Sequence, residues 1–150
     1  AKPDRRAEAL EVHPLFEDTM VAVVPPDHPW ASRPFVDAAD FDGVALIVFE
    51  PYDPARVPAL PLPIPPDARP ARIVPTPVVT ELAVEMVLAS RGIALLPAWP
   101  MRPYVEAGRV ATVAITDEPE RRIWSTATRR SPSPPIAGFV GLLRAHIASA

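Results

Sequence analysis

The chain has 150 residues, of which 49% are hydrophobic and 22% charged, so we expect one compact domain or two small lobes. Lys and Arg total 15 against 18 Asp and Glu, and the net charge of −3 argues against a surface built to bind nucleic-acid phosphates. The absence of cysteine excludes disulfides, zinc–thiolate sites and thiol nucleophiles. No apolar run approaches the ~18 residues of a membrane helix, so we expect no membrane segment and, by default, a cytoplasmic protein.

The N-terminal half predicts strands separated by loops. Short apolar, β-branched segments at 9–13 and 19–24 indicate two strands joined by a turn, and the spacing over 35–41 indicates a short helix. The run 44–49 lacks polar alternation, which is typical of a strand covered on both faces in a parallel sheet. Prolines then recur every few residues over 50–70, too densely for a regular helix or a central strand.

A helix is the strongest prediction of the middle of the chain. A short strand is predicted at 73–74, and residues 79–91 follow a helical period. Thr76 or Thr80 is the candidate N-cap, and Gly92 suits the left-handed residue after the helix. The residues predicted to share its buried face are Val79, Leu82, Ala83, Met86 and Val87.

The C-terminal half alternates between strand and helix patterns. Strands are predicted at 93–96, 110–115 and 123–128, and helices at 100–107 and 134–148. The predicted buried face of the last helix consists of Phe139, Leu142, Leu143 and Ile147. Such alternation indicates an α/β fold with a largely parallel sheet.

No pattern typical of a catalytic, metal or cofactor site is present. His13, His28 and His146 are scattered without ligand spacing, and His28 is interpreted as a loop histidine. No nucleophile elbow, phosphate loop or dinucleotide-binding glycine motif occurs, so we expect no cofactor. Glu81 and Glu85 lie four residues apart on one helical face, either as an acid–base pair or, more simply, as two solvated charges.

One pattern indicates a binding site. Glu50 and Tyr52 follow a buried strand, and Thr80 and Glu81 begin a helix, the places where an open α/β sheet presents groups to a small ligand. The alternative is that Thr80 only caps the helix and Tyr52 only shields a loop.

The sequence also resembles a known family over most of residues 10–148. The resemblance lies in an ordered set of segments: Leu15-Phe16-Glu17-Asp18, Val21–Val24, Pro26-Asp27-His28-Pro29, Thr80–Val87, Gly92–Trp99 and Arg122-Ile123-Trp124. This set resembles the effector-binding domain of LysR-type transcriptional regulators. Within this family, the sequence looks most like the homocysteine-responsive regulators of methionine biosynthesis, because it shares the Thr-Glu helix start, the Leu-Pro-x-Trp motif and Tyr104. It departs from them at Ala98, where those regulators commonly have arginine.

The resemblance implies a periplasmic-binding-protein-like (type 2) fold, with two α/β lobes joined by crossover strands and an effector bound between them. Residues 26–118 would form the second lobe, and 1–25 with 119–150 part of an incomplete first lobe. The winged helix-turn-helix that binds DNA in the family would lie outside this chain, and a homo-oligomer is expected. The strand at 123–128 should pair with the N-terminal strands.

We therefore expect a non-enzymatic sensor of a small, amino-acid-like metabolite. Its carboxylate would bind at the helix start with Thr80 and Glu81, its ammonium group at Glu50, and its aliphatic part under Tyr52 or Trp99. The alternatives are a solute-binding protein or stand-alone binding lobe of the same fold, and an enzyme using Glu81, Glu85 or His28.

Overall fold

The computed structural model describes residues 10–148. The chain divides into two compact units. The central unit is Thr19–Glu120, and the terminal unit combines the residues up to Asp18 with those from Arg121 onward. The lobe boundaries implied by the resemblance stay a prediction.

The central unit is built on an open mixed sheet. Its strands are the part of β1 (Leu10–Val24) from Thr19 onward, β2 (Ala45–Phe49), β3 (Arg72–Thr76), β4 (Ile93–Pro97) and β5 (Ala111–Ala114), in the order β3-β2-β4-β1-β5. β2 is parallel to β3 and β4, whereas β1 is antiparallel to β4 and β5. The prediction of a largely parallel sheet is therefore correct for β3, β2 and β4, whereas the pairings of β1 with β4 and β5 are antiparallel. A strand–helix–strand pattern predicts a parallel direction only for the two strands that the helix connects. No such connection joins β1 to its neighbours in the sheet, so the pattern does not predict the direction of β1.

β1 is one strand of 15 residues where two strands and a turn were predicted. Its C-terminal part pairs with β4 and β5, and it also pairs with β6 (Arg121–Arg129). In the terminal unit, Phe16 stacks on Trp124 with ring centroids 6.1 Å apart, and the Trp124 indole N–H donates to Asp18 over 3.2 Å. The expected pairing of β6 with the N-terminal strand is confirmed. The supposed turn is extended because strand partners more than a hundred residues away contact it.

Strand alternation divides the core of the central unit into two buried clusters. Leu46 and Val48 of β2 pack on one face with Trp30 and Phe41, whereas Ile47 on the other face packs with the helix that follows β3. Because both faces of β2 are covered, its sequence has no polar alternation, as predicted. Partly buried side chains of the proline-rich segment also pack on the first cluster, namely Leu62 and Ile64.

The predicted middle helix is α1 (Thr80–Leu88), and its buried face differs from the prediction. Ala83, Val84 and Val87 are completely buried against the sheet. Val79 and Leu82 are more than two-fifths exposed and do not belong to the buried face. The apolar stripe of α1 is thus rotated, since Val84 rather than Leu82 faces the sheet.

The ends of α1 also differ from the predictions. The N-cap is Val79, which makes no capping hydrogen bond through its side chain, so neither Thr76 nor Thr80 caps the helix. After the helix, Ser90 adopts the left-handed conformation with φ 55°, whereas Gly92 has φ 153°. Gly92 therefore does not terminate α1, and it has a different role at the start of β4.

The remaining short elements of the central unit are mostly 3-10 turns. The predicted helix over 35–41 is reduced to one 3-10 turn, Ala38–Phe41, because Asp37 forms a capping box with Asp40 and so sets the start of the turn after residue 37. His28 is a loop histidine, as interpreted, and its Nδ1 accepts the Trp30 N–H over 3.2 Å. A 3-10 turn at Trp99–Met101 leads directly into α2 (Arg102–Glu106).

The terminal unit contains the last helix, α3 (Pro134–Ala148), whose predicted buried face is largely exposed. Phe139 is 63% exposed and Leu142 73%, whereas Leu143 and Ile147 are half-buried. Within the described residues, neither buried cluster includes a residue of α3. The apolar face exists as predicted, but the predicted burial is wrong for Phe139 and Leu142. Between residues 10 and 148, no helix is long and apolar enough to cross a bilayer.

Candidate functional site

The carboxyl ends of β2, β3 and β4 lie at one edge of the central sheet, because these three neighbouring strands are parallel. Five residues predicted to bind a ligand follow these ends. Glu50 and Tyr52 follow β2, Thr80 and Glu81 begin the helix after β3, and Trp99 follows β4. Ligands of open α/β sheets bind beyond this edge. The topology thus places all five residues at one edge of the central unit, and their role in binding stays a prediction.

Glu50 is part of a small ionic cluster after β2. Its carboxylate lies 3.1 Å from the Arg56 guanidinium, which is also 3.7 Å from the buried Asp53. The Asp53 carboxylate additionally accepts the Ala55 N–H, which holds the turn together. A ligand ammonium group at Glu50 must therefore compete with Arg56. The cost is small, because both partners of the Glu50 pair are about half exposed and such pairs contribute at most about 1 kcal/mol.

The two aromatic residues at this edge have different environments. Tyr52 is half-buried and packs against both buried clusters, so its ring supports the fold beneath the edge. Trp99 is 50% exposed, while Met101 in the same 3-10 turn is completely buried and anchors it. Trp99 is therefore the better placed of the two to cover the apolar part of a ligand.

The start of α1 presents backbone N–H groups. The Ala83 N–H makes the first helical hydrogen bond, to the Val79 carbonyl, so the N–H groups of Thr80, Glu81 and Leu82 have no acceptor inside the helix. No side chain at the N-cap supplies one either. The half-buried Thr80 adds a hydroxyl next to them. Together with the positive end of the helix dipole, this arrangement favours a negatively charged group.

Glu81 and Glu85 have partners at α2 and the residues after it. The Tyr104 hydroxyl donates to the Glu81 carboxylate; burial, followed by the nearby charge and hydrogen bond of Glu81, raises the pKa of Tyr104. Glu85 forms a 2.7 Å ion pair with Arg109, whose guanidinium lies 5.8 Å from the centroid of the Tyr104 ring. Both carboxylates thus connect α1 to this region while they stay exposed, which agrees with the simpler interpretation of two solvated charges.

The structure adds residues that the sequence analysis did not place at this edge. Thr76, the last residue of β3, is 2% exposed, and its hydroxyl has no hydrogen-bond partner among the described residues. Arg56 joins Glu50 from within the proline-rich segment. A signal for Thr76 was present in the sequence, because a polar residue ends the predicted strand immediately before α1. Over residues 10–148, no group of three His, Cys, Asp or Glu side chains could hold a metal ion.

The parallel strands β3-β2-β4, with α1 packed on one face, define an open-sheet α/β domain, the class of fold in which ligands bind beyond the carboxyl ends of the strands. A family model described as the LysR substrate binding domain matches residues 1–148. The chain therefore belongs to the LysR substrate-binding-domain family. Its fold is the periplasmic-binding-protein-like type 2 fold, and the fold class and family predicted from the sequence are confirmed.

Solved structures agree with this assignment. The regulatory domain of MetR, a LysR family regulator from N. meningitidis, is 30% identical with a TM-score of 0.69, covering 96% of this chain and 65% of that one. The reduced form of OxyR is 28% identical with a TM-score of 0.61, covering 97% and 66%. The effector-binding domain of QuiR in complex with shikimate, 18% identical with a TM-score of 0.68 and covering 97% and 69%, shares the fold. The chain thus spans about two thirds of the regulatory domains it matches. A search of curated proteins found no match.

Proposed function

We propose that this chain is the effector-sensing region of a cytoplasmic, non-enzymatic LysR-type transcriptional regulator. In this proposal, residues 26–118 form its second lobe, and 1–25 with 119–150 contribute to the first. DNA contacts belong to a separate domain of the regulator, which acts as a homo-oligomer. Family membership and the MetR similarity support the regulatory role. The observation that carries the sensing function is the edge where five candidate ligand residues follow three parallel strands, beside an uncapped helix start.

The ligand we propose is a small amino-acid-like metabolite. Its carboxylate accepts hydrogen bonds from the first N–H groups of α1 and from the Thr80 hydroxyl, next to Glu81. Its ammonium group takes the place of the Arg56 guanidinium beside Glu50, and Trp99 and Tyr52 cover the aliphatic part. The effector regulates by binding one arrangement of the oligomer more tightly than another, since only differential affinity shifts a conformational equilibrium.

A thermal-shift screen of sulfur amino acids and related acids tests this proposal. A ligand at a hundredfold excess over its dissociation constant stabilises the protein by about 2.7 kcal/mol, a shift of roughly 5–10 °C for a chain of this size. Glu50→Gln combined with Thr80→Val should abolish the shift. The matched control is Glu106→Gln combined with Thr126→Val, which makes the same chemical changes at the end of α2 and in β6. A ligand that shifts the Glu50/Thr80 variant as much as the wild type binds elsewhere.

A further inference from the structure

The buried hydroxyl of Thr76 is unusual in this domain. Nearly all buried polar groups in proteins are hydrogen-bonded, and one that is not requires an explanation. Thr76 is 2% exposed, and no donor or acceptor within residues 10–148 pairs with its Oγ1. By contrast, the buried hydroxyl of Thr128 in β6 has a hydrogen-bond partner, because its Oγ1 lies 3.3 Å from His13 Nε2.

Strand geometry gives the direction of the Thr76 side chain. Ile73 of β3 packs on one buried cluster, and Val74 packs on the other, which includes the buried face of α1. Thr76 is two residues beyond Val74 and so shares its face. Its cross-strand neighbour in β2 is Phe49, which belongs to the same α1-containing cluster. The hydroxyl therefore lies on the face covered by α1, four residues before the helix begins.

The connection between β3 and α1 leaves this hydroxyl and the helix start without polar side-chain partners. Pro77 has no N–H, Val78 is 66% exposed, and the N-cap Val79 is 44% exposed with no capping group. Donors at this place are thus the Thr76 hydroxyl and the first N–H groups of α1. Neutral donors with a helix dipole suit a single negative charge such as a carboxylate, and exposed Val79 and Leu82 suit an apolar body attached to it.

We propose that Thr76 is a specificity-determining residue of the ligand site, whose hydroxyl donates a hydrogen bond to the carboxylate held at the start of α1. The proposal rests on the proposed function, because it names the group that recognises the anionic end of the effector. It also explains the hydroxyl, which gains a partner only when the ligand binds. A merely structural threonine would need that partner in the unliganded protein.

The test uses sodium acetate as the probe and follows backbone amide signals by ¹H–¹⁵N NMR in the full chain. Acetate should produce saturating shifts at Thr80, Glu81 and Leu82. Thr76→Val, which keeps the shape and removes the hydroxyl, should weaken acetate binding about tenfold, the usual effect of losing one hydrogen bond to a charged group. Thr76→Ser should stay within about threefold of the wild type.

Thr128→Val is the matched control, because it removes a buried hydroxyl in the terminal unit. It should leave acetate binding unchanged and lower the melting temperature, since its hydrogen bond to His13 is lost. Thr76→Val should keep or raise the melting temperature without ligand, because it removes an unpaired buried hydroxyl.

Two results overturn the proposal: acetate fails to give saturating shifts at the start of α1, or Thr76→Val binds it as tightly as the wild type. Comparing the acetate titration with the thermal screen distinguishes failure of the Thr76 proposal from failure of the proposed function. An amino-acid-like ligand whose binding Thr76→Val leaves intact supports the sensing function and refutes the role of Thr76. Acetate binding that depends on Thr76, with no amino-acid-like ligand in the thermal screen, supports the role of Thr76 and refutes the proposed effector class.

Discussion

Gly92→Ala should be among the most destabilising single substitutions in the central unit. Gly92 has φ 153°, a region that L side chains rarely adopt, and an added Cβ would lie 2.4 Å from the backbone oxygen of Ala45. That is about 1 Å short of ordinary van der Waals contact, and the oxygen belongs to the strand that pairs with β4. Backbone strain of about 1–3 kcal/mol and overpacking of about 1–3 kcal/mol give a loss of about 2–6 kcal/mol. A domain stability of about 5–15 kcal/mol leaves little margin for such a loss.

The other glycines provide matched controls for this prediction. Gly43 has φ 78° with nothing within 4 Å of an added Cβ, so Gly43→Ala should cost only the conformational strain, about 1–2 kcal/mol. Gly138 lies inside α3 with open space around it, and Gly138→Ala should stabilise the helix by up to about 1 kcal/mol. Urea unfolding followed by tryptophan fluorescence gives the three midpoints. A Gly92→Ala midpoint no lower than that of Gly43→Ala would refute the close-approach argument.

Three further predictions follow from burial, titration and charge. Phe41→Ala should cost about 3–5 kcal/mol in urea unfolding because Phe41 is completely buried, whereas Phe139→Ala, at a 63% exposed position, should cost less than about 1 kcal/mol; equal losses would contradict the described packing. Burial lowers the pKa of His28 from its ordinary value of 6.5, with Asp27 opposing the shift, so the unfolded chain takes up the proton first. The His28 contribution to stability should therefore be complete above pH 6.5 and be lost as the pH falls through the lowered pKa, since the protonated Nδ1 can no longer accept the Trp30 N–H. His28→Gln should weaken this dependence of the urea midpoint on pH, and an unchanged dependence would exclude His28 as its source. The isolated chain, with a net charge of −3, should not shift an operator-sized DNA duplex at physiological salt, and micromolar binding in a mobility-shift assay would contradict this.

Elements stabilised by local pattern could be predicted from that pattern alone, whereas the pairing of β6 with the distant N-terminal strand was predicted only through the family resemblance. The strand Ala45–Phe49 and the helix Thr80–Leu88 follow from their apolar patterns within one or a few residues. β1 was divided into two strands because Phe16 to Asp18 has the local character of a turn. In the folded chain, Trp124 stacks on Phe16 and donates a hydrogen bond to Asp18, although it lies more than a hundred positions away in the sequence. No local pattern contains that partner.

The candidate site divides in the same way. The edge itself was predictable, since residues after the carboxyl ends of parallel strands meet there whatever their side chains. The partners of those residues were not. Arg56 reaches Glu50 within a proline-rich segment that has no periodic pattern, and Tyr104 reaches Glu81 from α2, more than twenty residues later. Thr76 was visible only as a possible cap, because the absence of a hydrogen-bond partner is a property of the folded chain.

Helices α1 and α3 show what a hydrophobic period determines. In both, the pattern predicts which side chains share a face, because that depends only on 3.6 residues per turn. Burial also requires a second surface. For α1 the central sheet supplies one, and Ala83, Val84 and Val87 are completely buried against it. For α3 the described strands of the terminal unit are β6 and the first part of β1, and Phe139 and Leu142 remain exposed. Within residues 10–148, the same sequence signal thus leads to a buried face in one unit and an exposed face in the other, so the period determines which side chains share a face and a packing surface determines whether that face is buried.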